Sequence, residues 1–145
     1  MRLFIGGIMQ GSKCEMGVHN QDYREQIAAI VRRYHPQVQI VDPFQLYPDS
    51  VNYARERAVE TFLASLDEAA SADIMVAYLP EASMGTALEI WRAFEAGKPV
   101  FAISPLANNW MLWATTAHIF KDVETFAAFV AAGGLAPYVK TLIEP

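Results

Sequence analysis

The sequence contains a single cysteine, Cys14, and so lacks the pair that an internal disulfide needs. Structural disulfides belong to oxidising compartments, so a reducing compartment, the cytoplasm, is the expected location. The three histidines, His19, His35 and His118, lie too far apart in sequence to show the spacing of a metal site. We therefore expect neither a disulfide framework nor a bound metal.

Positive charge is also scarce, because 11 Lys and Arg residues against 16 Asp and Glu residues give a net charge of −5. Proteins that bind nucleic acid normally carry a basic patch, so this balance argues against a nucleic-acid partner. No run of about 18 apolar residues occurs, which argues against a membrane span. The apolar residues 1–9 contain two glycines and no small-residue cleavage site. We interpret them as a first buried strand and not as a signal peptide.

What the sequence does contain is a regular alternation of short apolar runs with longer helical stretches. Hydrophobic residues make up 53% of the 145 residues, which suits one compact domain over residues 1–145. Strands are predicted at residues 2–7, 38–41, 74–79, 99–104 and 118–120, and helices at residues 21–34, 51–71, 85–96, 111–116 and 123–132. The helix over residues 51–71 is either one long helix or a broken pair.

Strands that are apolar throughout and alternate with helices indicate a parallel sheet covered on both faces. We predict a three-layer α/β domain of the flavodoxin-like, Rossmann-like type, with five parallel strands in the order 2-1-3-4-5. Ligands bind such sheets at the carboxyl ends of the strands, near the point where the strand order reverses. The expected site therefore combines residues 6–12, 80–86 and 105–111.

The residues that follow the third strand carry the clearest chemical signal. Ser83, Gly85 and Thr86 stand at the start of a helix, where unpaired N–H groups attract anions. Ser83 could bind a phosphate or a sugar hydroxyl, or it could serve only as a helix cap. Glu89 lies one turn further along. A carboxylate near a helix start is expected to stay ionised, as a nucleophile must be. The alternative is an exposed Glu89–Arg92 ion pair.

Four short motifs, in this order, resemble the nucleoside 2-deoxyribosyltransferase superfamily, which includes the 2′-deoxynucleoside 5′-phosphate N-hydrolases. The motifs are residues 4–10 (FIGGIMQ), 83–89 (SMGTALE), 97–100 (GKPV) and 109–111 (NWM). The resemblance covers about residues 1–131. It implies cleavage of an N-glycosidic bond in a nucleoside or its 5′-monophosphate, with transfer to a second base or to water. It implies a homodimer and no cofactor.

The resemblance also implies roles for individual residues. Glu89 matches the catalytic nucleophile, and Asn109 matches an asparagine that reaches the neighbouring subunit's site. Ser83 matches a phosphate-binding serine of the nucleotide hydrolases, whereas Asn109 and Met111 match the Asn-x-Met of the transferases. Other substrate contacts are expected from the strand end and the helix start: Phe4, Gly6, Gly7, Ile8, Gly85 and Thr86.

Two positions depart from the family pattern. Phe4 replaces a tyrosine that orients the nucleophile, and Ser65 stands where the family has an aspartate that acts on the base. Asp67 is close to that position and is the candidate for the missing catalytic acid. These departures leave open an alternative, a nucleotide-sensing protein that binds without turnover. A flavin-binding relative of the flavodoxins is disfavoured, because residues 6–13 (GGIMQGSK) lack the Ser/Thr-dense run expected around a flavin phosphate.

Three further expectations concern residues outside these motifs. Asp42 is more readily a turn residue before Pro43 than a ligand contact. Cys14 has no CxxC partner, which disfavours a nucleophilic role. Trp110 and Trp113 are expected in the core or in a dimer interface, with stacking on a base as the alternative.

Overall fold

A computed structural model describes residues 1–140 and contains a five-stranded parallel sheet. The strands are β1 (Arg2–Gly7), β2 (Gln39–Val41), β3 (Ile74–Tyr78), β4 (Val100–Ile103) and β5 (His118–Phe120). Their order is β2-β1-β3-β4-β5, and all four pairings are parallel. This confirms the predicted strand order 2-1-3-4-5. The last five residues of the expected domain, 141–145, lie outside the described residues.

Helices cover both faces of the sheet and give three layers. They are α1 (Asp22–Tyr34), α2 (Pro43–Leu46), α3 (Arg55–Ser71), α4 (Met84–Glu95), α5 (Trp110–Thr115), α6 (Val123–Ala131) and α7 (Ala136–Lys140). Helix α1 packs against α6 on one face, and α3 packs against α4 on the other. Within residues 1–140, no helix has the length and apolar content to cross a membrane.

Alternation along β1 divides the core between the two faces. Leu3 and Ile5 belong to the cluster under α1 and α6, whereas Phe4 belongs to the cluster under α3 and α4. Neighbouring side chains of a strand point to opposite faces, so a strand buried on both sides must be apolar at every position. The continuous apolar runs in the sequence therefore reflect the central place of β1 and β3.

The helix boundaries differ from the predictions where local capping decides them. The segment predicted over residues 51–71 is a broken pair, because a 3₁₀ turn (Ser50–Asn52) precedes α3 and Ala54 between them is extended. Helix α4 begins one residue early, at Met84, because Ser83 caps it. Gly97 follows α4 with φ +73°, the left-handed conformation expected of it. The short helices α2 and α7 are not among the predicted elements.

Several large apolar side chains on the α3–α4–α5 side of the sheet remain exposed. Met84 is 84% exposed, Trp110 81% and Trp113 73%. The two tryptophans therefore do not lie in the core of the described chain, whereas their expected place in a dimer interface, or on a base, stays a prediction. Six more large apolar side chains are exposed on α3 and α4: Val59, Phe62, Leu63, Leu88, Trp91 and Phe94.

Candidate active site

A cavity of about 300 Å³ opens at the carboxyl ends of the strands. Its walls come from the loop after β1, from the segment after β2, from the starts of α1 and α4 and from the first two thirds of α3. The lining residues are Gly7, Met9, Gln10, Gly11, Arg24, Pro43, Tyr47, Ser50, Val51, Ala58, Thr61, Phe62, Ser65, Ser83, Met84, Gly85, Thr86 and Glu89. The volume lies at the lower end of the range typical of small-molecule sites.

Glu89 extends from the second turn of α4 into this cavity. Its Oε1 accepts a hydrogen bond from the Ser65 hydroxyl at 2.6 Å. The Glu89–Arg92 pair considered as an alternative does not form, because Arg92 contacts Glu95 and Asp67 instead. A side chain held in this way faces the ligand space and not bulk solvent.

Burial raises the pKa of Glu89 to about 7. The hydrogen bond from Ser65 and the nearby Arg24 guanidinium both lower the pKa, and the Asp42 carboxylate raises it. The expectation that Glu89 stays fully ionised is therefore wrong, because desolvation outweighs the hydrogen bond from Ser65 and the charge of Arg24. Near neutral pH the carboxyl group exists in both protonation states.

The start of α4 forms one wall of the cavity. Ser83 caps the helix, with the Thr86 amide 3.5 Å and the Thr86 hydroxyl 3.0 Å from its Oγ. A Cβ placed on Gly85 would meet no atom within 4 Å, so the space before this glycine is open. Hydroxyls and free amides at a helix start are donors suited to an anionic group.

The end of β1 approaches Glu89 from the other side. A Cβ on Gly6 would lie 2.8 Å from Glu89 Oε2, so only glycine leaves room for the carboxylate. Gly7 lines the cavity, and a Cβ there would overlap the Tyr23 ring. Phe4 and Ile8 are completely buried, and neither they nor Gly6 are among the residues that line the cavity.

The sequence analysis missed Arg24, a buried cation beneath the cavity. It is 4% exposed and forms an ion pair with Asp42 at 2.8 Å. Its guanidinium also donates to the carbonyl oxygens of Ile5 and Gly7, each at 3.2 Å. Its Nε donates to Gln21 at 2.7 Å. One signal could have revealed it: Arg24 precedes Ile27, Ala28 and Val31 by three, four and seven residues, which places it on the buried stripe of α1.

Asp42 and Tyr23 complete this buried layer. Asp42 caps α2 by accepting a hydrogen bond from the Phe44 amide at 3.0 Å, which confirms its expected role before Pro43. The Tyr23 hydroxyl donates to the Ile8 carbonyl at 2.9 Å, and its ring stacks on Tyr78. Burial raises the pKa of Tyr23, so this group stays neutral. The layer fixes the strand ends that face Glu89.

The loop after β1 is tied to the loop after β3 at the rim. Glu81 Oε1 accepts hydrogen bonds from the Ser12 amide at 3.3 Å and from its hydroxyl at 3.2 Å. His19 Nε2 lies 3.1 Å from the same oxygen. The hydrogen bonds from Ser12, together with His19, lower the pKa of Glu81. The rim contact therefore uses an ionised carboxylate.

Besides Phe4, Gly6 and Ile8, three further expected site residues lie outside the cavity. Asp67 is on the exposed side of α3, with its Oδ1 3.4 Å from Arg92. Since residues two apart on a helix point to nearly opposite faces, Ser65 faces Glu89 and Asp67 faces away. Asn109 is exposed and caps α5 by accepting from the Leu112 amide, and Met111 packs against the core. The structure brings neither Asn109 nor Met111 to this chain's own cavity.

Within residues 1–140, no group of three or more His, Cys, Asp or Glu side chains is arranged to hold a metal ion. Cys14 is exposed and unpaired with another cysteine.

Solved structures share this fold, although no protein-family model and no curated protein matches the sequence. A 2-deoxyribosyltransferase from Bacillus psychrosaccharolyticus aligns with a TM-score of 0.65 at 18% identity, over 88% of this chain and 90% of that chain. A conserved protein from Enterococcus faecalis aligns with a TM-score of 0.62 at 16% identity, over 88% of this chain and 95% of that chain. A CMP N-glycosidase from Clostridium botulinum aligns with a TM-score of 0.53 at 14% identity, over 91% of this chain and 99% of that chain. At these identities the likeness establishes the fold, which is consistent with the superfamily that the motifs resemble.

Proposed function

We propose that the protein cleaves the N-glycosidic bond of a nucleoside or nucleoside 5′-monophosphate and transfers the sugar to water or to a second base. The observation that carries this proposal is the half-buried Glu89 carboxylate, which lines a cavity of about 300 Å³ beside a helix start. The shared fold supports it, since a 2-deoxyribosyltransferase and a CMP N-glycosidase are built in the same way.

In the proposed first step, an oxygen of ionised Glu89 attacks the anomeric carbon, C1′. The new C–O bond forms as the C1′–N bond breaks, and the base leaves with the bonding electron pair. In the second step, water or another base attacks C1′ and releases the carboxylate. This is the double displacement of a retaining glycosidase, with one carboxylate as nucleophile.

The donors at the start of α4 are the proposed contacts for the sugar or its 5′-phosphate. Ser83 is neutral and lies in the cavity wall with Gly85 and Thr86, so it does not repel a phosphate as a carboxylate would. Comparing a nucleoside with its monophosphate separates the two substrate classes.

Departure of the base needs a proton, and the cavity offers few acids. Glu89 is the one carboxyl group among the described lining residues, and Asp67 lies outside the cavity. We infer that water protonates the leaving base. The same observation favours a second candidate function, a nucleotide-binding protein without turnover.

We further propose that the chain acts as a homodimer in the cytoplasm. Trp110 and Trp113 are exposed on α5, next to the exposed Asn109, and Met84 is exposed at the rim of the cavity. Apolar surface of this kind suits an interface between protein chains. A second copy seated there would supply Asn109 to the neighbouring cavity.

A chromatographic assay of free base tests the proposed reaction. Purified protein is incubated with nucleosides and their 5′-monophosphates, with and without an acceptor base. Glu89→Gln removes the nucleophile, and Glu95→Gln is the matched control, since Glu95 lies exposed on the same helix. We expect release by the native protein and by Glu95→Gln, and none by Glu89→Gln. Binding without any release would support the nucleotide-binding protein instead.

A further inference from the structure

Ser65 is one of the few polar side chains of the chain that are buried. It lies on α3, is 9% exposed, and its hydroxyl donates to Glu89 Oε1 at 2.6 Å. Within residues 1–140, this is the single hydrogen bond that the Glu89 carboxylate receives from a side chain or a backbone amide. Ser65 therefore holds one carboxylate oxygen and leaves the other free.

The second oxygen, Oε2, lies against the bare backbone of β1. A Cβ on Gly6 would come within 2.8 Å of Oε2 and 2.6 Å of Met75 Cε, so glycine alone leaves this gap. Arg24 donates to the carbonyl oxygens on either side, those of Ile5 and Gly7. The strand end that faces Oε2 is thus held rigidly by a buried side chain.

We propose that Ser65 is a positioning residue that anchors Glu89 Oε1, so that Oε2 is the oxygen that bonds to the substrate. The proposal rests on the proposed function. In the first step, a lone pair of Oε2 forms the bond to C1′, and the base leaves with the electrons of the C1′–N bond. Oε1 becomes the carbonyl oxygen of the ester and keeps its hydrogen bond from Ser65. The serine hydroxyl neither gains nor loses a proton.

This role also explains how the site functions with Phe4 beneath it. Phe4 is completely buried, and its side chain has no polar atom with which to donate a hydrogen bond to Glu89. The donor comes from α3 instead. Ser65 has no other hydrogen-bonding partner in the described chain, so its hydroxyl serves Glu89 and not the helix.

Titration of Glu89 by carbon-13 NMR of its side-chain carboxyl tests the anchor without requiring turnover. Ser65→Ala removes the donor, and Ser65→Thr keeps a hydroxyl. Ser71→Ala is the matched control, since Ser71 lies exposed on the same helix. Because the hydrogen bond lowers the pKa of Glu89, Ser65→Ala should titrate at higher pH than the native protein. In Ser65→Thr the pKa of Glu89 should return part of the way to its native value, and in Ser71→Ala it should equal the native value.

Steady-state kinetics supply the second readout. Loss of a hydrogen bond to a charged group changes a rate or equilibrium constant by roughly 10- to 100-fold. Ser65→Ala should lower kcat by about this factor with little change in KM. The acidic limb of the pH–rate profile of this variant should also move to higher pH. An unchanged titration or an unchanged kcat in Ser65→Ala would overturn the proposal. If the native protein releases no base, the proposed reaction fails, while the titration still decides whether Ser65 anchors Glu89.

Discussion

Replacing Arg24 by methionine tests whether the buried layer beneath the cavity holds the site together. Methionine keeps the length of the alkyl stem but removes every donor of the guanidinium. The Asp42 carboxylate loses its ion pair, and the carbonyl oxygens of Ile5 and Gly7 lose their charged partner. A carboxylate that is 3% exposed is then left in the core without a counter-charge.

The expected loss follows from the burial of both partners. Removing one member of a buried ion pair costs about 3–5 kcal/mol, because the remaining charge stays desolvated. Small domains have a total free energy of unfolding of about 5–15 kcal/mol, so the variant should fold with a much reduced margin. For a chain of this length the corresponding fall in Tm is roughly 10–20 °C.

Thermal unfolding followed by circular dichroism measures this difference. Arg32→Met is the matched control, because Arg32 lies on the same helix in an exposed ion pair with Glu25. Exposed pairs contribute about 0–1 kcal/mol, so the control should unfold close to the native protein. The double variant R24M/D42N should recover part of the loss, since no charge remains buried. The reasoning is refuted if Arg24→Met and Arg32→Met unfold at the same temperature.

Three further predictions concern the site and its surroundings. Burial raises the pKa of Glu89 to about 7, so the folded protein keeps a proton that the unfolded chain releases at lower pH, and stability falls as pH rises through about 7. Glu89→Gln should therefore stabilise the fold far more at about pH 8 than at about pH 5, with a difference in the free energy of unfolding of at most about 3 kcal/mol. Thermal scans at the two pH values measure this, and an equal rise in Tm at both would contradict the raised pKa of Glu89. Because the described cavity holds no second carboxylic acid, initial rates should rise steeply as the leaving base becomes less basic, and a flat dependence would mean that an acid has been overlooked. Trp113→Glu should shift the mass measured by light scattering from dimer to monomer, while Glu124→Gln on α6 should not; a monomeric native chain would remove the dimer proposal.

The fold could be predicted because its signals are local and repeated. The strands Arg2–Gly7 and His118–Phe120 match their predicted bounds. The alternation of apolar runs with helices predicts the parallel sheet, and the order 2-1-3-4-5 is chosen because it places a switch point between β1 and β3. The boundary errors fall where a single side chain or a turn decides the end. Helix α4 begins at the residue after its cap, and the extended Ala54 decides for the broken pair over residues 51–71, which the sequence leaves open.

The site was less accessible to sequence reasoning, because its contacts join distant segments. Ser65 looked like a missing aspartate, yet it reaches Glu89 across the packing of α3 on α4. Arg24 was not singled out, because its partner Asp42 lies 18 residues away and only the fold brings the two together. The protonation of Glu89 depends on desolvation, which sequence position cannot report.

The most direct test of the central claim is the mass of the protein quenched in acid during turnover. A glycosyl ester on Glu89 adds the mass of the sugar to the peptide that contains residue 89, and a slow substrate with an electron-withdrawing 2′-substituent allows the ester to accumulate. We predict this adduct on the native protein and on Glu95→Gln, and its loss together with base release in Glu89→Gln. An adduct that maps to another residue, or undiminished base release by Glu89→Gln, would contradict Glu89 as the nucleophile.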